Sequence, residues 1–227
     1  MDKFKKTLSL PKLNKYKLNE GFTDNEILKL YLINVRLQEA FLPALHFLEV
    51  SLRNKIYYEL GNKFKNNDWL FDGVTLQLHN TEAQRLLKGQ KTQAQKKRTN
   101  FTNESLIAEL SFGFWVNLLK KYYKSSIWMK TGYFEAVFPN FNIKVHDRTN
   151  YLHRELYKIK KLRDRIAHHE DIIVYHNSLS NNLDEYYKNI NKIIGYMCKD
   201  TQKLLTNICR FNETYEEYKK LKTSLKL

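Results

Sequence analysis

Lys160-Lys161-Leu162-Arg163-Asp164-Arg165-Ile166-Ala167-His168-His169-Glu170 is the stretch on which the reading of this chain turns. Upstream of it Leu152, Leu156, Ile159, Leu162 and Ile166 recur at steps of three and four, the spacing of one helical face, and Asp147 stands where an N-cap belongs. The stretch is therefore the last turn of a basic helix running from Arg148 to about His168. It sets Arg163 five residues before His168. An imidazole moves protons to and from a ribose 2′-hydroxyl or a leaving 5′-oxygen near neutrality, and a guanidinium braces the charge that builds on phosphorus oxygens. The pair suits RNA cleavage without a metal. Residues five apart on a regular helix point about 140° away from each other. Arg163 and His168 thus meet one phosphate only if the helix ends near Ala167 and His168 swings round in the turn. By itself, a histidine there also reads as a helix C-cap favoured by the macrodipole. His169 reads as a substrate contact, an orienter of His168, a partner of Glu170 or plain surface; Asp164 as a brace for Arg163 or Arg165 or an acceptor toward a neighbouring subunit.

The rest of the chain is helical by the same signals. Six lysines in the first twenty residues give a loosely ordered basic arm, residues 1–22, ahead of one helical domain over 23–227. Thr23 and Glu26 form a capping box for a helix with Ile27, Leu30, Tyr31, Asn34, Leu37 and Gln38 on its stripe. Pro43 marks a kink or a new start, after which Leu45, Leu48, Leu52, Ile56 and Leu60 continue to Gly61. Glu49, Arg53 and Asn54 make a polar set on that apolar helix. They read either as a salt-bridged group in the interior or as a cleft in which Arg53 and Asn54 hold phosphate.

Trp69-Leu70-Phe71 anchors a loop, and Thr81 to about Lys97 is a polar helix in which Ala83, Leu86 and Leu87 are the residues fit for burial. Arg85, Lys88, Lys91, Lys96, Lys97 and Arg98 make this segment the candidate for RNA contact, with a plain solvated surface helix as the alternative. Asn103 caps a helix so apolar that it belongs at a bundle centre. Gly113 within it implies a close backbone approach. A last long helix spans about Ser180 to Cys209.

Thirty-nine Lys and Arg against 24 Asp and Glu leave a formal charge of +15, which favours a polyanionic partner, nucleic acid first. The N-terminus lacks the apolar core of a signal peptide, and there is no 18-residue apolar run, so neither a membrane span nor export is expected and the expected location is cytoplasmic. Cys198 and Cys209 would stand about 16 Å apart on one helix and cannot pair there. Adjacent His168 and His169 diverge by about 100° and chelate poorly. No metal or other cofactor is expected.

The segment Leu162 to Glu170 resembles the R-x4-6-H motif of HEPN domains, and more narrowly the "LRNxxAHHE" form of Abi-like abortive-infection proteins of bacteria. Two further blocks, Ala44 to Ile56 and Glu109 to Leu119, fit the same group in the expected order. The resemblance implies an all-α, HEPN-like helical bundle with long antiparallel helices. It implies endoribonuclease activity at a homodimeric site, with Arg163 and His168 catalytic and Asp164 and His169 in support. It further implies a role in phage defence or a toxin–antitoxin pair and, in some members, a small structured RNA partner. Asp164 departs from the commoner Asn and adds a negative charge beside the expected phosphate. A protein that binds structured RNA with little cleavage is the alternative.

Overall fold

The computed structural model describes residues 2–18, 20–96, 102–175 and 178–227. The chain is all-α. Its helices are α1 (Asp2–Leu8), α2 (Leu10–Asn14), α3 (Asp24–Phe64), α4 (Asn80–Gln95), α5 (Asn103–Glu109), α6 (Phe112–Asn117), α7 (Tyr133–Val137), α8 (Arg148–Ala167), α9 (Leu183–Met197), α10 (Lys199–Ile208) and α11 (Phe211–Ser224). A 3-10 turn at Lys121–Tyr123 runs into a π-helical turn at Lys124–Trp128. Among the described residues, the sole ladder is a two-residue hairpin. In it β1 (Val174–Tyr175) pairs antiparallel with β2 (Ser178–Leu179), Val174 facing Leu179.

Two compact units emerge from the packing. The first comprises residues 1–46, 161–191 and 203–227, and the second residues 47–160 and 192–202. In the first, Leu30, Leu37, Phe41, Ile173, Ile190, Leu205 and Phe211 are buried, with Phe211 ringed by Phe41, Tyr187 and Tyr215. In the second, Leu52, Ile56, Trp69, Phe114, Trp115, Leu152, Leu156 and Ile159 are buried. The Trp69 indole donates to the Tyr57 carbonyl (2.9 Å), so the loop anchor foreseen at 69–71 is real.

The strongest local signals hold. Thr23 and Glu26 form the capping box, with the Thr23 amide donating to Glu26 Oε2 at 2.8 Å and the Glu26 amide to Thr23 Oγ1 at 3.3 Å. Asp147 caps α8 by accepting from the Asn150 amide (3.0 Å). Pro43, by contrast, starts no new helix: α3 runs 41 residues through it.

Elsewhere the structure departs from the sequence reading. The stretch read as a loose arm carries α1 and α2, because Leu13 and Tyr16 find buried seats that anchor it. The apolar segment after residue 102 is two helices, not one: Thr102 is the cap, and Leu110 turns extended (ψ 127°) before α6 begins. The long C-terminal helix likewise breaks at Cys198. Cys209 then lies on the far side of that break, donating its thiol to the Ala40 carbonyl (3.4 Å).

The polar helix α4 inverts its expected burial. It seats Glu82, Gly89 and Gln93 inward and leaves Leu87 exposed. Glu82 is tolerated inside because Asn117 Nδ2 donates to its Oε1 (2.7 Å) and the Tyr123 hydroxyl to its Oε2 (3.3 Å). Gln93 donates to the Glu109 carboxylate (2.6 Å). Polar partners on α5, α6 and the following turn thus outweigh the apolar pattern.

Candidate functional site

The end of α8 is built as a Schellman turn. The His168 amide still donates to the Asp164 carbonyl (3.0 Å), so His168 remains on the helical path as the C-cap. The His169 amide then donates to Ile166 (3.0 Å) and the Glu170 amide to Arg165 (2.9 Å). His169 adopts φ 55°, the left-handed position that glycine usually fills. The expected stop near Ala167 is therefore present, but the residue that swings out is His169. Five helical steps still separate Arg163 from His168. The two side chains of one copy leave the helix in directions about 140° apart.

Four side chains hold this turn. Arg165 donates through Nε (3.0 Å) and NH2 (2.6 Å) to the Asp171 carbonyl, and its NH2 lies 3.3 Å from Asp171 Oδ1. Asp171 is 7% exposed, and Lys15 approaches its other oxygen at 3.3 Å. Asn34, buried on α3, accepts the amides of Ile172 (2.8 Å) and Ile173 (3.4 Å) on one oxygen. The Gln38 amide donates to the Glu170 carbonyl. Two polar residues on an apolar helical stripe thus satisfy the backbone of residues 170–173, which otherwise would be buried with open donors and acceptors. Sequence reasoning placed Asn34 and Gln38 on that stripe without a task; their polarity at buried positions was the available signal.

Out of this strapped segment the motif's polar side chains project. His168, His169 and Glu170 are exposed. Arg163 and Asp164 are half-buried, 37% and 36% exposed, and Arg163 NH1 sits 3.5 Å from Asp164 Oδ1. Asp164 is thus the near acid to Arg163, while Arg165 is committed to Asp171. Tyr16, close to Arg165 and Asp171, has its hydroxyl pushed well above the ordinary tyrosine value, by burial first and by the Asp171 charge second. It stays neutral there.

The other foreseen residues belong to the second unit. Arg53 Nε donates to Asn54 Oδ1 (3.0 Å), and both are half-buried. Lys88 and Lys91 are exposed on α4, and Lys96 pairs with Glu109. Arg85 is only half-exposed, close to the buried Glu82. Lys97 and Arg98 lie outside the described residues. Among the described residues no three His, Cys, Asp or Glu side chains gather as a metal ion would require, and no helix is long and apolar enough to cross a membrane.

A family model described as "Abi-like protein" matches residues 1–174. The match takes in the basic N-terminal helices, all of α3 to α8, and the motif with its strapped exit. The chain therefore belongs to the Abi-like protein family, and membership points to a role in abortive infection. No curated protein and no solved structure matches the chain.

Proposed function

We propose that this protein is a HEPN-type, metal-independent endoribonuclease of an abortive-infection or toxin–antitoxin system, with Arg163 and His168 as its catalytic residues. The observation that carries the reading is the end of α8, where an exposed histidine caps the helix five residues after a half-exposed arginine and the turn beyond is strapped by Arg165, Asn34 and Gln38. His168 would take the proton from a ribose 2′-hydroxyl as its oxygen attacks phosphorus. A second histidine would return a proton to the departing 5′-oxygen, and Arg163 would offset the charge on the phosphoryl oxygens. The products are a 2′,3′-cyclic phosphate and a 5′-hydroxyl. The 140° divergence of Arg163 and His168 means that one copy does not surround one phosphate. A homodimer contributing two motifs supplies both base and acid.

The test is to incubate wild type and His168→Ala with bacterial RNA in EDTA and to identify the ends. Cleavage by wild type alone with cyclic-phosphate ends is the expected result; equal cleavage by both overturns it. One observation favours a second reading, an RNA-binding protein with weak or no cleavage: Arg163 NH1 lies 3.5 Å from Asp164, which draws the guanidinium toward a carboxylate rather than a phosphate. Intact RNA with salt-sensitive binding by both proteins would favour that reading.

A further inference from the structure

A cleft of about 600 Å³ opens in the second unit at the start of α8, the helix whose other end carries the motif. The π-helical turn Lys124–Trp128, the loop 129–132, the start of α7 and the first residues of α8 enclose it. A π-turn is a rare backbone form that recurs at functional sites. The volume suits a small organic molecule rather than a lone ion, since ligand pockets run from about 300 to 1,000 Å³. The catalytic reading gives this cleft no task.

Its lining divides into an apolar part and a charged rim. Trp128 and Phe134 are buried beneath it, and Met129 is 69% exposed beside them. The two carboxylates of the rim are engaged: Asp147 Oδ2 lies 2.8 Å from Lys124 Nζ, and Glu135 Oε1 lies 2.7 Å from Arg148 NH1. Each is held below its usual pKa by that hydrogen bond first. Cations remain. Arg148 lays its guanidinium over the Phe134 ring, 4.1 Å from the centroid. Among the described residues that guanidinium hydrogen-bonds to Glu135 alone, through NH1, which leaves Nε and NH2 uncommitted. Lys130 is exposed, and among the described residues its ammonium meets no carboxylate; it stands 4.7 Å from the Phe64 ring centroid and 5.4 Å from that of Tyr133. Lys63 Nζ lies at the edge beside Gly132, 3.1 Å from where a Cβ would sit, also with no carboxylate at ion-pair distance among the described residues. Gly132, at φ 76°, is the residue that suits this turn. Four cations thus stand against two carboxylates that are already paired.

We propose that this cleft binds a nucleoside monophosphate, its phosphate against Arg148 and Lys130 and its base against Met129 above the Trp128 and Phe134 floor. The two parts of such a ligand match the two parts of the lining. A phosphate offers separate oxygens to a planar guanidinium and a point-like ammonium, and a base offers a flat, largely apolar face. Phosphate alone would leave most of the volume empty. The site does not rest on the nuclease reading, and a monophosphate holds no phosphodiester for that activity to cut.

The test titrates the full wild-type chain with UMP and with AMP at low salt and reads binding by calorimetry. At least one of them is expected to bind. Its nucleoside alone and inorganic phosphate alone should each bind at least about tenfold more weakly, because each satisfies one part of the lining. Arg148→Gln and Lys130→Gln should each weaken nucleotide binding about fivefold, whereas Lys88→Gln on α4 should leave it unchanged. Glu135→Gln releases Arg148 from its carboxylate and should tighten binding about fivefold, a gain that decides the matter even if a loss variant disturbs the fold. Binding of neither nucleotide, inorganic phosphate binding as tightly as the nucleotide, charge variants indistinguishable from Lys88→Gln, or no gain from Glu135→Gln would each overturn the site and leave the nuclease reading untouched. A tetrauridylate with a 5′-phosphate and 2′-O-methyl groups, which resists attack by its own 2′-oxygens, separates the two sources of the ligand. If it displaces the mononucleotide, the moiety is read at the end of an RNA strand; if it does not, the ligand is a free nucleotide.

Discussion

Arg165 reaches past the end of its own helix to Asp171, donating two hydrogen bonds to its backbone carbonyl and approaching its carboxylate at 3.3 Å. The guanidinium closes the turn that displays His168 and His169. Because Asp171 is almost fully buried, its charge is tolerated only with Arg165 and Lys15 beside it. Arg165→Ala should therefore destabilise the protein by about 2 kcal/mol, measured by urea unfolding, and on the proposed nuclease reading reduce RNA cleavage by loosening the turn. Asp171→Asn should cost less, since the carbonyl that accepts Nε and NH2 remains.

Asn34 offers one oxygen to two consecutive amides. Its replacement by leucine fits the apolar stripe of α3 but strips both buried N–H groups of their acceptor. A loss of about 2 kcal/mol is expected in thermal or urea unfolding, against less than about 0.5 kcal/mol for a solvent-facing position such as Leu32→Asn on the same helix.

His169 holds a left-handed backbone at about 1 kcal/mol of steric cost. His169→Gly should raise stability by roughly that amount, and on the proposed nuclease reading its RNA cleavage should equal wild type if the residue serves the turn alone. A stabilised but inactive variant would mark His169 as a contact to RNA.

Asp164 stands between the Arg163 guanidinium and the role proposed for it. Asp164→Asn removes the competing charge, and in single-turnover cleavage a gain on the order of fivefold is expected, corresponding to about 1 kcal/mol for one charge near a surface. An unchanged rate would show that Arg163 does not act on the phosphate from this side.

Stability should also fall in mild acid for a reason remote from the motif. His153 on α8 has its pKa lowered, by burial first and by the nearby Lys120 charge second, and its Nε2 has no hydrogen-bond partner. The unfolded chain takes up a proton near the ordinary value of 6.5 while the folded one resists it. Stability is therefore unaffected above that pH and is lost as pH falls below it. His153→Leu should flatten this part of a plot of unfolding free energy between pH 7 and 5; an unaltered slope would assign it to other groups.

Much of this was legible in the chain. The capping box at Thr23 and Glu26, the Asp147 cap, the apolar line from Leu152 to Ile166 and the helix stop at Ala167 are local relations, set by hydrogen bonds within a turn or by a period of 3.6. Sequence alone determines such features because the residues involved are near neighbours. It also determined the net charge and the family match over residues 1–174.

Tertiary structure decided the rest. Which residues of α4 face inward depended on Asn117 and Tyr123, some 35 and 41 positions from Glu82, whose hydrogen bonds allow a carboxylate to be buried there. That Asn34 and Gln38 strap the motif's exit is likewise settled by partners distant in sequence. A helical period reports which residues share a face; what lies opposite that face, and hence whether a polar group there is satisfied, exists only once the chain has folded.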